Sequence, residues 1–200
     1  MNRCIASSGH ELSVNKVVNE YKSRGASTSR ETLSNLLSYY EEVYLVFSLG
    51  DLSRSLADNP RSSSKVHAVD PGMFTAFSRA ASKEQGQRLE TAVFNKLRRV
   101  APQARSGSLA RLTFEHEGNL HEVDFVMGDA LLGDMFELVQ VSIDLSNPKT
   151  RQRELSALEA AMEKYRVGES TVVTMDSEET VTMKSGTVRV VPAWKWLLDE

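Results

Sequence analysis

Apolar residues recur at helical spacing at Val14, Val17, Val18 and Tyr21, with Asn15, Lys16, Asn19 and Glu20 between them. That pattern predicts a helix, and Gly25 is placed to end it. Thr28-Ser29-Arg30-Glu31 reads as a capping box, with Thr28 at the N-cap and Glu31 reaching back to it. Leu33, Leu36, Leu37 and Tyr40 continue the apolar stripe, so residues 13–42 read as helix, tight turn, helix. The pattern then changes. Val43 to Leu49 is a β-branched and aromatic run that predicts a strand. Residues 50–64 carry Gly50, Asn59, Pro60 and three consecutive serines, the composition of a loop. Lys65 to Val69 reads as the returning strand, closed by the turn Asp70-Pro71-Gly72.

The second half has another order. Leu89, Val93 and Leu97 form one stripe of a helix over 83–99, with Arg98 and Arg99 in the last turn, where the helix dipole favours cations. Strands are expected near 109–117, 121–127 and 136–143, with Gly118-Asn119 as the hairpin signal between the first two. Pro148 opens a helix over 149–166 that turns Leu155, Leu158, Ala161, Met162 and Tyr165 inward. Strands at 171–175, 181–183 and 188–191 follow, and a short Trp-rich helix ends the chain, its Trp194 and Trp196 expected in the core. Helix, helix, strand, loop, strand is the order of a winged helix, placed at residues 10–77. Residues 78–200 form a second domain with a mixed sheet and helices packed on it, so the fold class is α/β (α+β).

Composition narrows the function classes. The 200 residues carry 24 Lys and Arg against 27 Asp and Glu, and one cysteine. Cys4 alone cannot form an internal disulfide, which argues against a stapled secreted scaffold. No apolar run approaches the length of a membrane span, and no apolar signal core follows Met1, so a cytoplasmic setting and no membrane partner are expected. The net charge of −3 hides a basic middle (Arg79, Lys83, Arg88, Lys96, Arg98, Arg99, Arg105, Arg111) and an acidic C-terminal third. Arg30 and Asn35 stand on the second helix, the usual groove reader of a winged helix. With Arg88, Arg98 and Arg99 they are the candidate DNA contacts.

Neither a phosphate-cradling P-loop nor a dinucleotide fingerprint is present, so no ATP site is expected. His10, His67, His116 and His121 are scattered. Acids remain. Asp124 lies within the apolar strand Val123-Asp124-Phe125-Val126, where a carboxylate is costly unless paired, exposed or metal-bound. Gln140 and Ser142 share a face of the next strand, Asp144 continues it, and Glu90 lies on the preceding helix. A helix glutamate with polar residues on two adjacent strands is one way to gather oxygen ligands for Mg²⁺. A hydrogen bond across a sheet edge is the simpler reading of Asp124 and Gln140.

These residues resemble the PD-(D/E)xK, or restriction-endonuclease-like, nuclease fold. Gly86-Gln87-Arg88-Leu89-Glu90 is similar to its glutamate helix, and Glu122-Val123-Asp124-Phe125-Val126 to its aspartate strand. On the third strand Gln140 stands where the acid belongs and Ser142 where the lysine belongs. The chain from 12 to 198 further resembles the C-terminal region of prokaryotic AAA-type ATPases. The matching segments are Ser13–Lys16, Lys65–Gly72, Thr150–Glu154 and Pro192–Leu198. The resemblance implies catalytic positions at Glu90, Asp124, Gln140 and Ser142, Mg²⁺ on Asp124 and Gln140, and an ATPase domain as partner.

Gln140 offers a metal one neutral oxygen, and Ser142 supplies no positive charge. Losing one transition-state stabilising group costs on the order of 10²–10³ in rate. Lys149 and Arg151 are the candidates for a migrated cation. Three readings follow: a DNA- or partner-binding effector region of an AAA-type ATPase with a degenerate nuclease site; a Mg²⁺-dependent DNA nuclease with a lysine supplied from elsewhere; and an assembly module for an ATPase oligomer.

Overall fold

The computed structural model describes residues 1–52, 64–77, 84–100, 109–129 and 134–199. The expected loop at 50–64 and the arginines at 79 and 105 fall largely or wholly outside them.

The N-terminal elements run α1 (Asn2–Ala6), β1 (His10–Glu11), α2 (Val14–Ser23), α3 (Arg30–Glu42), β2 (Val46–Leu49), β3 (Lys65–Ala68) and α4 (Met73–Phe77). The pattern along the chain did not reveal α1, β1 or α4, each five residues or shorter. The strands form an antiparallel sheet in the order β1-β3-β2. Ser13 caps α2, accepting from Lys16 N. The cap of α3 is Ser29, not Thr28: its hydroxyl accepts from Thr32 N at 3.0 Å. Residue 43 caps the end of α3 and Tyr44 turns the chain at φ 58°, so the strand begins at Val46 rather than at Val43.

The larger part comprises α5 (Gln85–Val100), β4 (Leu109–His116), β5 (Asn119–Asp129), β6 (Asp134–Val141), α6 (Pro148–Tyr165), β7 (Glu169–Thr174), β8 (Glu179–Thr182), β9 (Thr187–Pro192) and α7 (Ala193–Leu198). Its six-stranded sheet has the order β4-β5-β6-β7-β9-β8. The β4-β5-β6 meander is antiparallel, β6-β7-β9 is parallel, and β8 closes the edge antiparallel to β9. This is the mixed sheet with flanking helices expected from the element order. The β4–β5 turn is Glu117-Gly118, both at positive φ, one residue earlier than the sequence signal, because Asn119 already pairs with His116. Pro148 stands in the first turn of α6, and Asn147 caps it by accepting from Lys149 N and Thr150 N.

Two apolar clusters flank the sheet. Leu155, Leu158, Ala161 and Met162 of α6 pack on Leu112, Val123, Leu138 and Val172. On the other side Leu89, Val93, Phe94 and Leu97 of α5 meet Phe125, Val139 and Val173, with Leu49 of β2 in the same cluster. Trp196 packs against this second cluster, with Lys96 over its ring, but Trp194 is 63 % exposed, which corrects the expectation that both lie in the core. Two residues apart on a helix, the two rings stand about 200° apart and cannot both turn inward.

Buried polar contacts fasten β3 to α5. The hydroxyls of Ser8 and Thr91 are 2.9 Å apart, Ser8 Oγ accepts from Ala68 N, and Asn95 Nδ2 donates to Ala68 O. His67 stacks on Phe94 with ring centroids 4.2 Å apart. On the sheet side, buried Arg111 of β4 pairs with Glu11 and Asp51, and its backbone N–H donates to Gly50 O. Among the described residues no helix is long and apolar enough to cross a membrane.

Candidate functional site

The β5–β6 ladder ends at the pair Phe125–Val139. One residue beyond, while β6 goes on pairing with β7 along its other edge, side chains replace the missing β5–β6 backbone bonds. Asp124 Oδ2 accepts from Val141 N at 3.0 Å, and Gln140 Oε1 accepts from Asp124 N at 3.1 Å. The Gln140 amide then donates to Glu154 Oε2 of α6 at 2.6 Å. Glu154 is 3 % exposed, and its other oxygen accepts from Arg153 Nε at 3.1 Å. Gln140 therefore has both ends of its amide committed to holding the parting strands against α6. A hydrogen bond between Asp124 and Gln140, the simpler of the two expectations, is present, though it joins adjacent interior strands and not a sheet edge.

On the α5 side of the same junction lies a cation. Lys65, the first residue of β3, is 8 % exposed. Its Nζ stands 3.2 Å from Glu90 Oε1, 3.0 Å from Glu122 Oε1 and 3.3 Å from Asp124 Oδ1. Gly9 closes the site over Glu90: its φ is +77°, and a Cβ there would lie 3.3 Å from Glu90 Oε2. Glu122 is the exposed member of the three acids.

Burial and the neighbouring charges set the direction in which Lys65, Glu90 and Asp124 titrate. Burial alone would lower the Lys65 pKa, but Asp124, Glu90 and Glu122 outweigh it and hold it above the ordinary lysine value. Burial pushes Glu90 up to about 7; Asp124 adds to the rise and Lys65 opposes it. Burial likewise raises Asp124, against the pull of Lys65 and the Val141 hydrogen bond. The Lys65 ammonium does not offset the burial of Glu90 and Asp124, and both stay raised.

The other candidate residues are dispersed. Ser142 turns outward and donates to Asp144 O. Arg151 is held by Glu179 of β8, and Lys149 is exposed at the start of α6, so neither cation proposed to have migrated joins the acids. Arg30 and Asn35 are exposed on α3, a helix that buries no residue. Arg88 is half-buried, and Arg99 is exposed. Arg98 lies with its guanidinium 3.7 Å from the centre of the Phe47 ring. His116 and His121 approach to 6.5 Å between ring centres, and His116 Nε2 lies 3.2 Å from Glu163 Oε2 of α6.

Three members of the site were not identified from the sequence. Lys65 stood only as the first residue of the returning strand and of the Lys65–Gly72 segment. Glu122 was quoted only as part of the aspartate strand. Glu154 carried a signal that was available: it lies four residues before Leu158 on the apolar stripe of α6, where an acid needs a partner.

Mg²⁺ takes oxygen ligands at about 2.0–2.1 Å in near-octahedral geometry. Here the space between the carboxylates is filled by Nζ, and the Gln140 oxygen points at a backbone N–H. Among the described residues no three His, Cys, Asp or Glu side chains are grouped as ligands for one metal ion. With Lys65 in place, the residues do not fit a divalent cation.

No family model matches the chain, and no solved structure matches it. A relative is the uncharacterized protein MJ1544 of Methanocaldococcus jannaschii, 32 % identical over 195 residues. The match covers 94 % of this chain, which spans about two-fifths (41 %) of the relative's length.

Proposed function

We propose that this chain is a DNA-binding effector region with a nuclease-like site that no longer cuts, working alongside an AAA-type ATPase domain in the cytoplasm. The observation that carries the reading is the commitment of Gln140. Its carbonyl oxygen holds Asp124 N–H and its amide holds Glu154, so the residue at the position of the second acid does structural work. Ser142, at the position of the lysine, faces Asp144 instead of the acids.

Support for binding comes from the N-terminal elements. The order helix, strand, helix, helix, strand, strand with a β1-β3-β2 sheet accords with a winged helix. Its α3 leaves Arg30 and Asn35 in solvent, as a groove-reading helix requires. The ATPase association rests on the resemblance of the chain's motifs, and a relative more than twice this length accords with it. The single cysteine supports the cytoplasmic setting.

The test is fluorescence anisotropy with a labelled duplex over a salt series. Binding should weaken linearly in log–log form as salt rises, and Arg30→Ala should lower both affinity and slope by about one counterion's worth. Absence of affinity at low salt would transfer the reading to protein docking. The nuclease reading keeps one observation in its favour: Lys65 brings a lysine to Glu90 and Asp124 from outside the usual strand.

A further inference from the structure

We infer that Lys65 is the site's built-in cation: its ammonium stands where a divalent ion would sit between Glu90, Glu122 and Asp124, so the N-terminal module, which carries it, governs whether these carboxylates can take a metal. The inference rests on reading the acids as a nuclease-like set, and it goes further by naming what keeps them from loading.

Three observations carry it. The first is position. Nζ lies 3.0 to 3.3 Å from one oxygen of each acid, and those acids come from two elements, α5 and β5. A metal would need the same oxygens about 1 Å closer to the same point. The second is charge. One ammonium against three carboxylates leaves a negative excess, which a divalent ion would neutralise better than the lysine does. The third is architecture. Lys65 belongs to β3, not to the sheet that holds Glu122 and Asp124, and Gly9 covers Glu90 from the same side. The module contributes both the occupant and the cover.

The docking of β3 does not depend on the ammonium. Ser8 with Thr91, Asn95 with Ala68, and His67 on Phe94 hold the strand on α5 independently. A Lys65→Met chain therefore keeps the module in place while opening the cation position, and the methionine stem preserves the packing of the lysine methylenes.

The test is Mn²⁺ titration of the full chain at pH 7.5, read by loss of the free-ion electron paramagnetic resonance signal and by the thermal midpoint. Wild type is expected to bind Mn²⁺ only weakly, with no gain in thermal midpoint. Lys65→Met should bind at least about tenfold more tightly than wild type and gain thermal stability with the metal, and Asp124→Asn added to Lys65→Met should remove both effects. If Lys65→Met does not fold without metal, Lys65→Met/Glu122→Gln, with one carboxylate fewer, gives the same readings. Binding to wild type as tight as to the variant overturns the inference. So does either variant remaining indifferent to Mn²⁺, folded or unfolded. DNA affinity is measured separately without metal, so failure of the effector reading and failure of this one are told apart.

Discussion

Replacing Lys65 by Met removes the ammonium that stands within 3.3 Å of Glu90 and Asp124 while keeping most of its packing. Two mostly buried carboxylates then face each other across the gap, with exposed Glu122 at its rim. Breaking a buried pair by removing one partner costs about 3–5 kcal/mol. The ceiling is set by an alternative open to the folded chain, which is to protonate Asp124. Holding a proton on a carboxyl of ordinary pKa 3.8 costs about 1.4 kcal/mol per pH unit above that value, hence about 5 kcal/mol at pH 7.5 and about 2 at pH 5.5. The deficit relative to wild type should therefore be large at neutral pH and shrink on acidification. The sign follows from linkage: acids whose folded pKa is raised bind more protons folded than unfolded, so the variant gains relative stability as pH falls. Urea unfolding of both chains at pH 7.5 and 5.5 measures this. A deficit below about 1 kcal/mol at pH 7.5, or one of equal size at both pH values, would refute the argument that the ammonium compensates buried charge.

Gln140→Glu restores the acid of the nuclease pattern, yet it should destabilise by about 2–4 kcal/mol in urea unfolding, because it removes the donor to buried Glu154 and adds a like charge beside it. Gly186 has φ +155°, and a Cβ there would lie 2.2 Å from Gly168 O; Gly186→Ala should lower stability by about 2–3 kcal/mol, read as a fall in thermal midpoint. His67, buried against Phe94 and Phe125, has its pKa lowered to about 3, chiefly by burial and then by Lys65. It is neutral when folded, so wild type should lose stability as pH falls from 6.5 toward 3, and His67→Leu should be less acid-sensitive by up to about 1.4 kcal/mol per pH unit in that window. Glu90 acts in the opposite sense between about 7 and 4.5, so the quantity to plot is the difference between the two chains.

The periodic elements were legible because their burial is one-sided. Leu89, Val93 and Leu97 on α5 and Leu155, Leu158 and Met162 on α6 fall on the inward stripes that their spacing indicates. Short elements left no period to read. Two residues of β1 are fixed by pairing with Val66 and Lys65, not by their own pattern. The same holds for the site. Glu90, Asp124 and Gln140 stood out as polar residues in apolar surroundings, and the structure brings them to one strand junction. Lys65 did not stand out, since a lysine that opens a strand is ordinarily solvated. Its role appears only when β3 is laid on α5, a contact between residues 25 and 59 positions apart in the chain. For Ser142 and Arg151, alternation assigns a face, but local partners such as Asp144 O and Glu179 decide where the side chain ends.

The central claim is that this chain binds DNA without cutting it. Labelled single- and double-stranded DNA incubated with the full chain and Mg²⁺ or Mn²⁺ tests it most directly. The account predicts intact DNA with wild type and with Asp124→Ala alike, while the salt-dependent shift of the duplex persists. Metal-dependent cleavage by wild type that disappears in Asp124→Ala would contradict it.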